Sequence, residues 1–203
     1  MKTPARRQIV LATRNRDKVI EMRDALAAMP IDILTLESFP SAPEVVEDGD
    51  TLEANAAKKA MAIHAHTGLP ALADDTGLFV EALHGAPGVF SSRYAGERAS
   101  YRDNVQKLLA ALKDVPEHKR GAEFRSVIAF AVEGEVHFIK GACAGNIGSA
   151  PKGAGQFGYD PVFIAHETQR TFAEMTLAEK NLVSHRGRAL AAFKDFVRKL
   201  WLL

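Results

Sequence analysis

The chain has 203 residues, of which 47% are hydrophobic and 25% are charged, and this composition excludes intrinsic disorder as a description of the whole chain. The 26 Lys and Arg residues nearly balance the 25 Asp and Glu residues. The resulting net charge of +1 argues against a dedicated nucleic-acid binder, whose surface is usually strongly basic. One cysteine, Cys143, suits a reducing cytosol, and no apolar run is long enough to cross a membrane. We therefore predict a cytoplasmic protein that binds neither nucleic acid nor a membrane.

The first half of the chain alternates predicted strands and helices after a loose basic arm at residues 1–7. The hydrophobic pattern predicts a strand at 8–12, a helix at 18–29, a strand at 32–35 and a helix at 51–66. Asp50 is the predicted N-cap of the second helix, with Glu53 completing a capping box, and Gly68 is predicted to end it. Residues 38–50 hold two prolines and four acids, which predicts a loop.

The rest of the chain contains a predicted hairpin between two helices. The pattern predicts strands at 72–74 and 78–80, a helix at 101–113, strands at 124–132 and 135–139, a loop at 151–161 and a helix at 187–200. Thr76-Gly77 is predicted to break the first pair of strands, and Glu133-Gly134 is the predicted hairpin turn. Early strand–helix alternation followed by a hairpin predicts one α/β domain, spanning residues 1–203, with a mixed sheet.

Polar residues between the first strand and the first helix form the first candidate site. Asn15 is a candidate N-cap, and the backbone N–H groups at the start of that helix suit a phosphate. Arg14, Arg16 and Lys18 would add positive charge, and Thr13 would add a neutral donor. The alternative is a solvated polar turn. The pattern of a P-loop, G-x-x-x-x-G-K-[ST], does not occur in the sequence.

Three acids, Glu47, Asp74 and Asp75, form the second candidate site. Adjacent residues on a strand face opposite ways, so we expect one of the two aspartates to face a cleft and the other to be held inside. Carboxylate oxygens are the ligands that Mg²⁺ takes, usually one or two per ion, with water and substrate phosphate completing the shell. The alternative is a charged strand end.

A glycine-rich loop forms the third candidate site. Residues 153–158 fit the pattern G-x-G-x-x-G, but Pro161 follows where a helix should begin, so we reject a dinucleotide-binding loop. The loop instead presents Phe157 and Tyr159, which would suit a flat ligand such as a base. The alternative is a tight turn with core aromatic residues.

Two more polar groups lie on predicted helices. Ser184 is a candidate N-cap of the last helix, which would place His185 and Arg186 in its first turn, against the helix dipole. Asn55 and Lys59 are four residues apart and share a helix face. By themselves, Asn55 and Lys59 are interpreted as a solvated stripe.

The order of these motifs is more specific than any one of them. The motifs are TRNRDK at 13–18, EDG at 47–49, NAAKKA at 55–60, ADDTGL at 73–78, GAPG at 85–88, SRY at 92–94, FGYDP at 157–161, FAEM at 172–175 and SHRG at 184–187. This series resembles the inosine/xanthosine triphosphate pyrophosphatase family, the Ham1-like or RdgB-like house-cleaning enzymes. The resemblance implies a two-lobed α/β fold with a long mixed central sheet flanked by helices, an active-site cleft between the lobes, and a homodimer. It also implies Mg²⁺-dependent hydrolysis of dITP, ITP and XTP to the nucleoside monophosphate and pyrophosphate.

The same resemblance assigns roles to individual residues. Glu47 and Asp75, with Asp74 as a third candidate, are expected to hold Mg²⁺. Asp75 is also the expected proton acceptor, and Lys18 and Lys59 are the other expected catalytic residues. The residues expected to bind the triphosphate are Thr13, Arg14, Asn15, Arg16, Asp17 and Lys18. The remaining substrate-binding residues, most of them forming the base pocket, are expected to be Thr76, Phe157, Gly158, Tyr159, Asp160, Lys180, His185 and Arg186.

The sequence departs from the family pattern at a few positions. Thr76 stands where the family usually has Ser, which keeps a hydroxyl group, and Lys58 stands where the family tends to be apolar. Gln156 stands where the family usually has Gly, and its side chain could crowd the base or alter the loop. Two alternative functions are a Maf-like nucleotide pyrophosphatase with another base preference and a nucleotide-binding module without catalysis. The acids at 47, 74 and 75 argue against the latter, since carboxylates beside a polyanion need a metal.

Overall fold

A computed structural model describes residues 6–202, so residues 1–5 of the predicted arm lie outside the described residues. The strands are β1 (Arg7–Leu11), β2 (Ile31–Thr35), β3 (Ala71–Val80), β4 (Pro87–Gly88), β5 (Gly121–Val132), β6 (Glu135–Ile147) and β7 (Phe163–Ala165). The α-helices are α1 (Arg16–Leu26), α2 (Leu52–Thr67), α3 (Tyr101–Ala111), α4 (Leu177–Val183) and α5 (His185–Trp201). None of the helices described within residues 6–202 is long and apolar enough to cross a membrane.

The strands form one mixed sheet in the order β2-β1-β3-β5-β6-β7, and β4 pairs with β3. β1 is parallel to both β2 and β3, whereas β3–β4 and β6–β7 are antiparallel pairs. Parallel β1 and β2 are joined through α1, as a βαβ unit requires. The predicted α/β fold with a mixed sheet is therefore confirmed.

The chain divides into two compact units, and each has its own apolar core. Among the described residues, unit 1 holds 6–75, 127–140 and 189–202, and unit 2 holds 76–126 and 141–188. The core of unit 1 is built on the buried side chains of β1, α1 and α5, and that of unit 2 on those of α3, β7 and the first half of β5. β3, β5 and β6 each contribute residues to both units.

Several predicted boundaries are confirmed by local geometry. The Asn15 side chain accepts a hydrogen bond from Lys18 N–H at 3.1 Å and caps α1. Gly68 ends α2 in the left-handed conformation, with φ of 69°. Glu133 and Gly134 both have positive φ, as a tight hairpin turn between β5 and β6 requires.

The predicted break at Thr76-Gly77 is wrong, because β3 runs unbroken from Ala71 to Val80. Gly77 serves a close approach instead of a turn. A Cβ atom at Gly77 would lie 2.6 Å from the carbonyl oxygen of Gly88 in β4. Only glycine lets this backbone come so near.

Other boundaries moved by a few residues. The N-cap of α2 is Thr51 and not Asp50, because the Thr51 hydroxyl accepts from Ala54 N–H, and the predicted capping box is absent. α1 ends at Leu26, three residues early, since Pro30 disfavours a helical conformation at the residue before it. β1 begins at Arg7, inside the predicted arm. The pattern did not predict the short elements β4, β7 and α4.

Cys143 lies in the core of unit 2. Burial raises the pKa of its thiol to about 11. The group is therefore an apolar core side chain at neutral pH.

Candidate active site

Two lysines of unit 1 converge on the acidic pair in β3. Lys18 lies 2.9 Å from Asp74 Oδ2 and donates to the Asp74 carbonyl at 3.1 Å. Lys59 donates to the same carbonyl at 2.9 Å. Asp74 is fully buried. Its side chain and carbonyl therefore anchor both ammonium groups.

Lys59 also joins the two other acids of unit 1. Its Nζ lies 3.2 Å from Glu47 Oε2 and 3.3 Å from Asp75 Oδ1. Asp75 is almost fully buried, whereas the Glu47 side chain is 36% exposed. The sequence-predicted residues Glu47, Lys59 and Asp75 thus form one cluster.

The two carboxylates that share Lys59 have pKa values displaced in opposite directions. Burial raises the pKa of Asp75 above its ordinary value, and the attraction of Lys59 and Lys18 reverses this only in part. At the more exposed Glu47, the same two ammonium groups outweigh burial and lower the pKa. Burial therefore opposes the ionisation of Asp75 more strongly than that of Glu47.

Asp75 Oδ2 is buried and has no hydrogen-bond partner among residues 6–202. A buried carboxylate oxygen left in this state is destabilising unless another ligand engages it. In the described part of the chain no three His, Cys, Asp or Glu side chains form a set that could hold a metal by themselves. Two carboxylates are nevertheless what Mg²⁺ commonly takes when substrate phosphates and water supply its other ligands. The residues present therefore fit a divalent metal whose remaining ligands would be water and substrate phosphates.

The residues at 13–18 surround the start of α1. Thr13 Oγ1 accepts from Asn15 N–H at 3.2 Å, and Arg14 Nη2 donates to the Ala42 carbonyl at 2.8 Å. Arg14 and Arg16 are exposed, and Asp17 lies in the first helical turn, where an acid complements the helix dipole. The exposed Arg14 and Arg16 side chains thus place positive charge at the start of α1, where the helix dipole also favours an anion.

In unit 2, a buried ion pair lies beside an aromatic ring. Lys180 is ion-paired with Asp160, and both residues are about 5% exposed. The Lys180 ammonium also lies 4.9 Å from the ring centroid of Phe157, which is partly exposed. Tyr101 packs edge-on against that ring at 5.5 Å. Phe157 is therefore held at a fixed place in the glycine-rich loop.

The start of α5 places two more predicted residues in unit 2. Ser184 Oγ accepts from Gly187 N–H at 3.1 Å, which confirms the predicted N-cap. Arg186 is 1% exposed and donates to Thr76 Oγ1 at 3.1 Å, and its guanidinium carbon lies 5.5 Å from the Phe157 ring. His185 stacks on Phe124, with ring centroids 4.5 Å apart.

Three residues of the loop around Phe157 are placed differently from one another. Tyr159 lies in the core of unit 2, its hydroxyl donating to the Ser91 carbonyl at 2.8 Å, and burial raises its pKa. Gly158 has a φ of 54°, which favours glycine. The Gln156 side chain is exposed. Of these residues, Tyr159 supports the loop from inside.

The interpretation of Asn55 and Lys59 as a solvated stripe is wrong. Asn55 is 1% exposed and Lys59 is 8% exposed. Both side chains face the acids and the loop that precedes α2, because α2 turns its polar positions inward there. Two contacts of the site were not predicted from the sequence: that of Asn55 with Gly49, and the stacking of Phe124 on His185. The four-residue spacing of Asn55 and Lys59 was a signal for the former, and the sequence held no signal for the latter.

The model of the Ham1 family matches residues 9–196 of the chain. The chain belongs to the Ham1 family. A relative from Geobacter sulfurreducens named dITP/XTP pyrophosphatase is 51% identical over 189 residues, which cover 93% of this chain and 95% of that protein. A protein of the same name from Lactiplantibacillus plantarum is 49% identical over 194 residues, covering 95% and 96%. The matching family is Ham1 and not the Maf-like pyrophosphatases that were the alternative prediction.

Solved structures of Ham1 proteins have the same fold. The Ham1 protein of Coxiella burnetii has a TM-score of 0.86 and 41% identity, covering 95% of this chain and 99% of that one. A dITP/XTP pyrophosphatase from Mycobacterium abscessus has a TM-score of 0.73 and 43% identity, covering 92% and 98%. The resemblance read from the ordered motifs is thereby confirmed, as is the α/β fold class.

Proposed function

We propose that this Ham1 protein hydrolyses non-standard purine nucleoside triphosphates, dITP, ITP and XTP, to the monophosphate and pyrophosphate with Mg²⁺ as cofactor. The buried, unpartnered Oδ2 of Asp75 beside Lys59 and Glu47 is the observation that carries the proposal. It is a polar atom whose desolvation is offset only when a metal or a reacting water engages it. The names of the relatives support the substrate class.

Charge balance explains why a metal would be needed. With all acids ionised, Glu47, Asp74 and Asp75 outnumber Lys18 and Lys59 by one negative charge. A triphosphate would be repelled by that excess. A divalent cation held by Glu47 and Asp75 would reverse the sign and, when bound, stabilise the charge that develops on the phosphates.

The side chains of unit 1 would perform the phosphate chemistry. Asp75, whose pKa is raised by burial, would accept a proton from the water that attacks the α-phosphorus. Lys18 and Lys59 would donate hydrogen bonds to phosphate oxygens, with the first turn of α1 as a further anion site. Positioning and electrostatics supply most of the acceleration in phosphoryl-type transfer, so no covalent nucleophile is required.

Unit 2 would supply base recognition. Phe157 would stack on the purine, and Lys180 and Arg186, which lie against its ring, would donate to the 6-oxo group. Adenine carries an amino donor at that position and would leave these donors unpaired. A site built to pair with one polar group can reject its replacement by a factor of about 10⁴.

The test is pyrophosphate release from ITP, XTP, GTP, ATP and dTTP, with and without Mg²⁺. The wild type is expected to favour ITP and XTP and to need the metal. Asp75→Asn should lower kcat by about 10² to 10⁴, the range of general base catalysis, with its circular dichroism spectrum unchanged. Asp195→Asn, at an exposed aspartate, is the matched control. Near-normal turnover in Asp75→Asn, or equal rates with ATP and ITP, would contradict the proposal.

We also propose, from the family resemblance, that the enzyme acts as a homodimer in the cytoplasm. Sedimentation velocity at micromolar concentration measures the first property, and cell fractionation measures the second. A monomer at all concentrations, or a protein recovered outside the cytoplasmic fraction, would contradict these two points.

A further inference from the structure

Asn55 holds the backbone of Gly49 with both ends of its side-chain amide. Its Oδ1 accepts a hydrogen bond from Gly49 N–H at 2.8 Å, and its Nδ2 donates to the Gly49 carbonyl at 3.3 Å. Because Asn55 is 1% exposed, water competes little for these bonds. The amide therefore pairs with both the N–H and the carbonyl group of Gly49, as a neighbouring strand would in a sheet.

Gly49 is shaped for this contact. A Cβ atom there would lie 2.8 Å from Asn55 Oδ1 and 2.9 Å from Ala54 Cβ, which is closer than real Cβ contacts. The absence of a side chain thus lets the loop reach α2. The fit is steric, since Gly49 is not among the glycines with positive φ.

The clamp lies next to the acids of the proposed reaction. Glu47 precedes Gly49 by two residues, and Lys59 follows Asn55 by one helical turn and contacts Glu47 at 3.2 Å. Asn55 and Lys59 of α2 therefore both hold the part of the loop around Glu47. The Lys59 contact depends on charge and must change when a metal or phosphate binds. The Asn55 contact is uncharged and does not depend on either.

We propose that Asn55 is a positioning residue whose clamp on Gly49 holds the Glu47 carboxylate in place for the metal. The proposal rests on the proposed function, because it assumes that Glu47 is a metal ligand. Partners that orient metal-binding groups from behind typically alter metal affinity by about 10- to 100-fold when they are removed. We expect a loss of that size in Asn55→Ala.

Two variants attack the clamp from opposite sides, and a third is the control. Asn55→Ala removes the amide, and Gly49→Ala forces the loop away while leaving α2 intact, which keeps the test usable should Asn55→Ala fail to fold. Lys58→Met removes the exposed contact of Lys58 with Asp48, at 2.6 Å on the same loop. Exposed ion pairs contribute little, so this control should behave as the wild type.

Three measurements separate positioning from general damage. The first is the Mg²⁺ concentration that half-saturates dITP hydrolysis, and the second is Mn²⁺ binding to the nucleotide-free protein by electron paramagnetic resonance. The third is hydrogen exchange of residues 44–50 without metal. Both clamp variants should raise the half-saturating Mg²⁺ concentration and weaken Mn²⁺ binding, each by about 10- to 100-fold. Both should also speed hydrogen exchange in this loop. The KM for dITP at saturating Mg²⁺ should stay within about twofold, because the clamp does not reach Lys18 or the first turn of α1.

The proposal would be overturned if both clamp variants had the half-saturating Mg²⁺ concentration and the loop hydrogen-exchange rates of the wild type. Metal binding weakened to the same degree in Lys58→Met would also overturn it, since any disturbance of the loop would then suffice. A wild-type protein that does not hydrolyse dITP would refute the proposed function instead. The exchange rates and Mn²⁺ binding would still decide whether the clamp holds the loop.

Discussion

Asp160→Asn changes the shape of the side chain little, but it should destabilise the protein strongly. Asp160 and Lys180 form an ion pair in which both side chains are less than a tenth exposed. Removing the carboxylate would leave the Lys180 ammonium buried without it, next to the rings of Phe157 and Phe172. Breaking a buried pair in this way typically destabilises by about 3–5 kcal/mol.

The loss is large compared with the whole stability of a protein, which is about 5–15 kcal/mol. For a chain of this length, each kcal/mol lowers Tm by about 2–4 °C, so Tm should fall by about 6–20 °C. Asp195→Asn is the matched control, because Asp195 pairs with Arg198 on the surface of α5. An exposed pair of that kind contributes about 0–1 kcal/mol.

Urea denaturation of the wild type, of both single variants and of Asp160→Asn/Lys180→Met checks the reasoning. Replacing both members of a buried pair by neutral groups is often close to neutral, so the double variant should be more stable than Asp160→Asn alone. The reasoning fails if Asp160→Asn and Asp195→Asn are equally stable, or if the double variant is the least stable.

Three further predictions follow from other contacts. Hydrogen bonds within the capping box at the start of α4, together with Arg170, lower the pKa of Glu179 to about 2. The ionised Glu179 therefore stabilises the fold above pH 4.5, and this contribution is lost as the pH falls toward 2. In Glu179→Gln, Tm should depend less steeply on pH in that interval, and an unchanged slope would contradict the prediction. Arg186→Ala should lower kcat/KM for ITP by about 10- to 100-fold, which corresponds to the loss of a hydrogen bond to a charged group. The loss for ATP should be smaller. Equal losses for ITP and ATP would exclude Arg186 as the residue that recognises the 6-oxo group. Gly77→Ala places a Cβ atom 2.6 Å from the Gly88 carbonyl and should lower the free energy of unfolding by about 1–3 kcal/mol in urea titrations, whereas an unchanged value would show that β4 yields freely.

The sequence predicted elements best where the signal is local. The apolar run at β1 and the stripe of α1 are contained in a few consecutive residues, and both elements are present. The cap at Asn15 and the turn at Glu133-Gly134 are equally local. Such features follow from the backbone preferences of their own residues.

Features that depend on distant contacts were missed. Gly77 was interpreted as a break because its real reason, the approach of Gly88, lies eleven residues away. Asn55 and Lys59 look the same in sequence whether their shared face meets water or acids. The acids in the middle of β3 decide between these two possibilities, and sequence spacing does not encode that Lys59 lies close to them. The order of motifs, in contrast, carried the family assignment before any contact was known.

The placement of Cys143 has a practical consequence for following the loop at 44–50. At pH 7 a thiol with a pKa of about 11 is ionised in only about one molecule in ten thousand, and alkylating reagents attack the thiolate. A second cysteine introduced at exposed Val46 would therefore react with a maleimide dye long before the native one. Site-selective fluorescent labelling next to Glu47 needs no cysteine-free background.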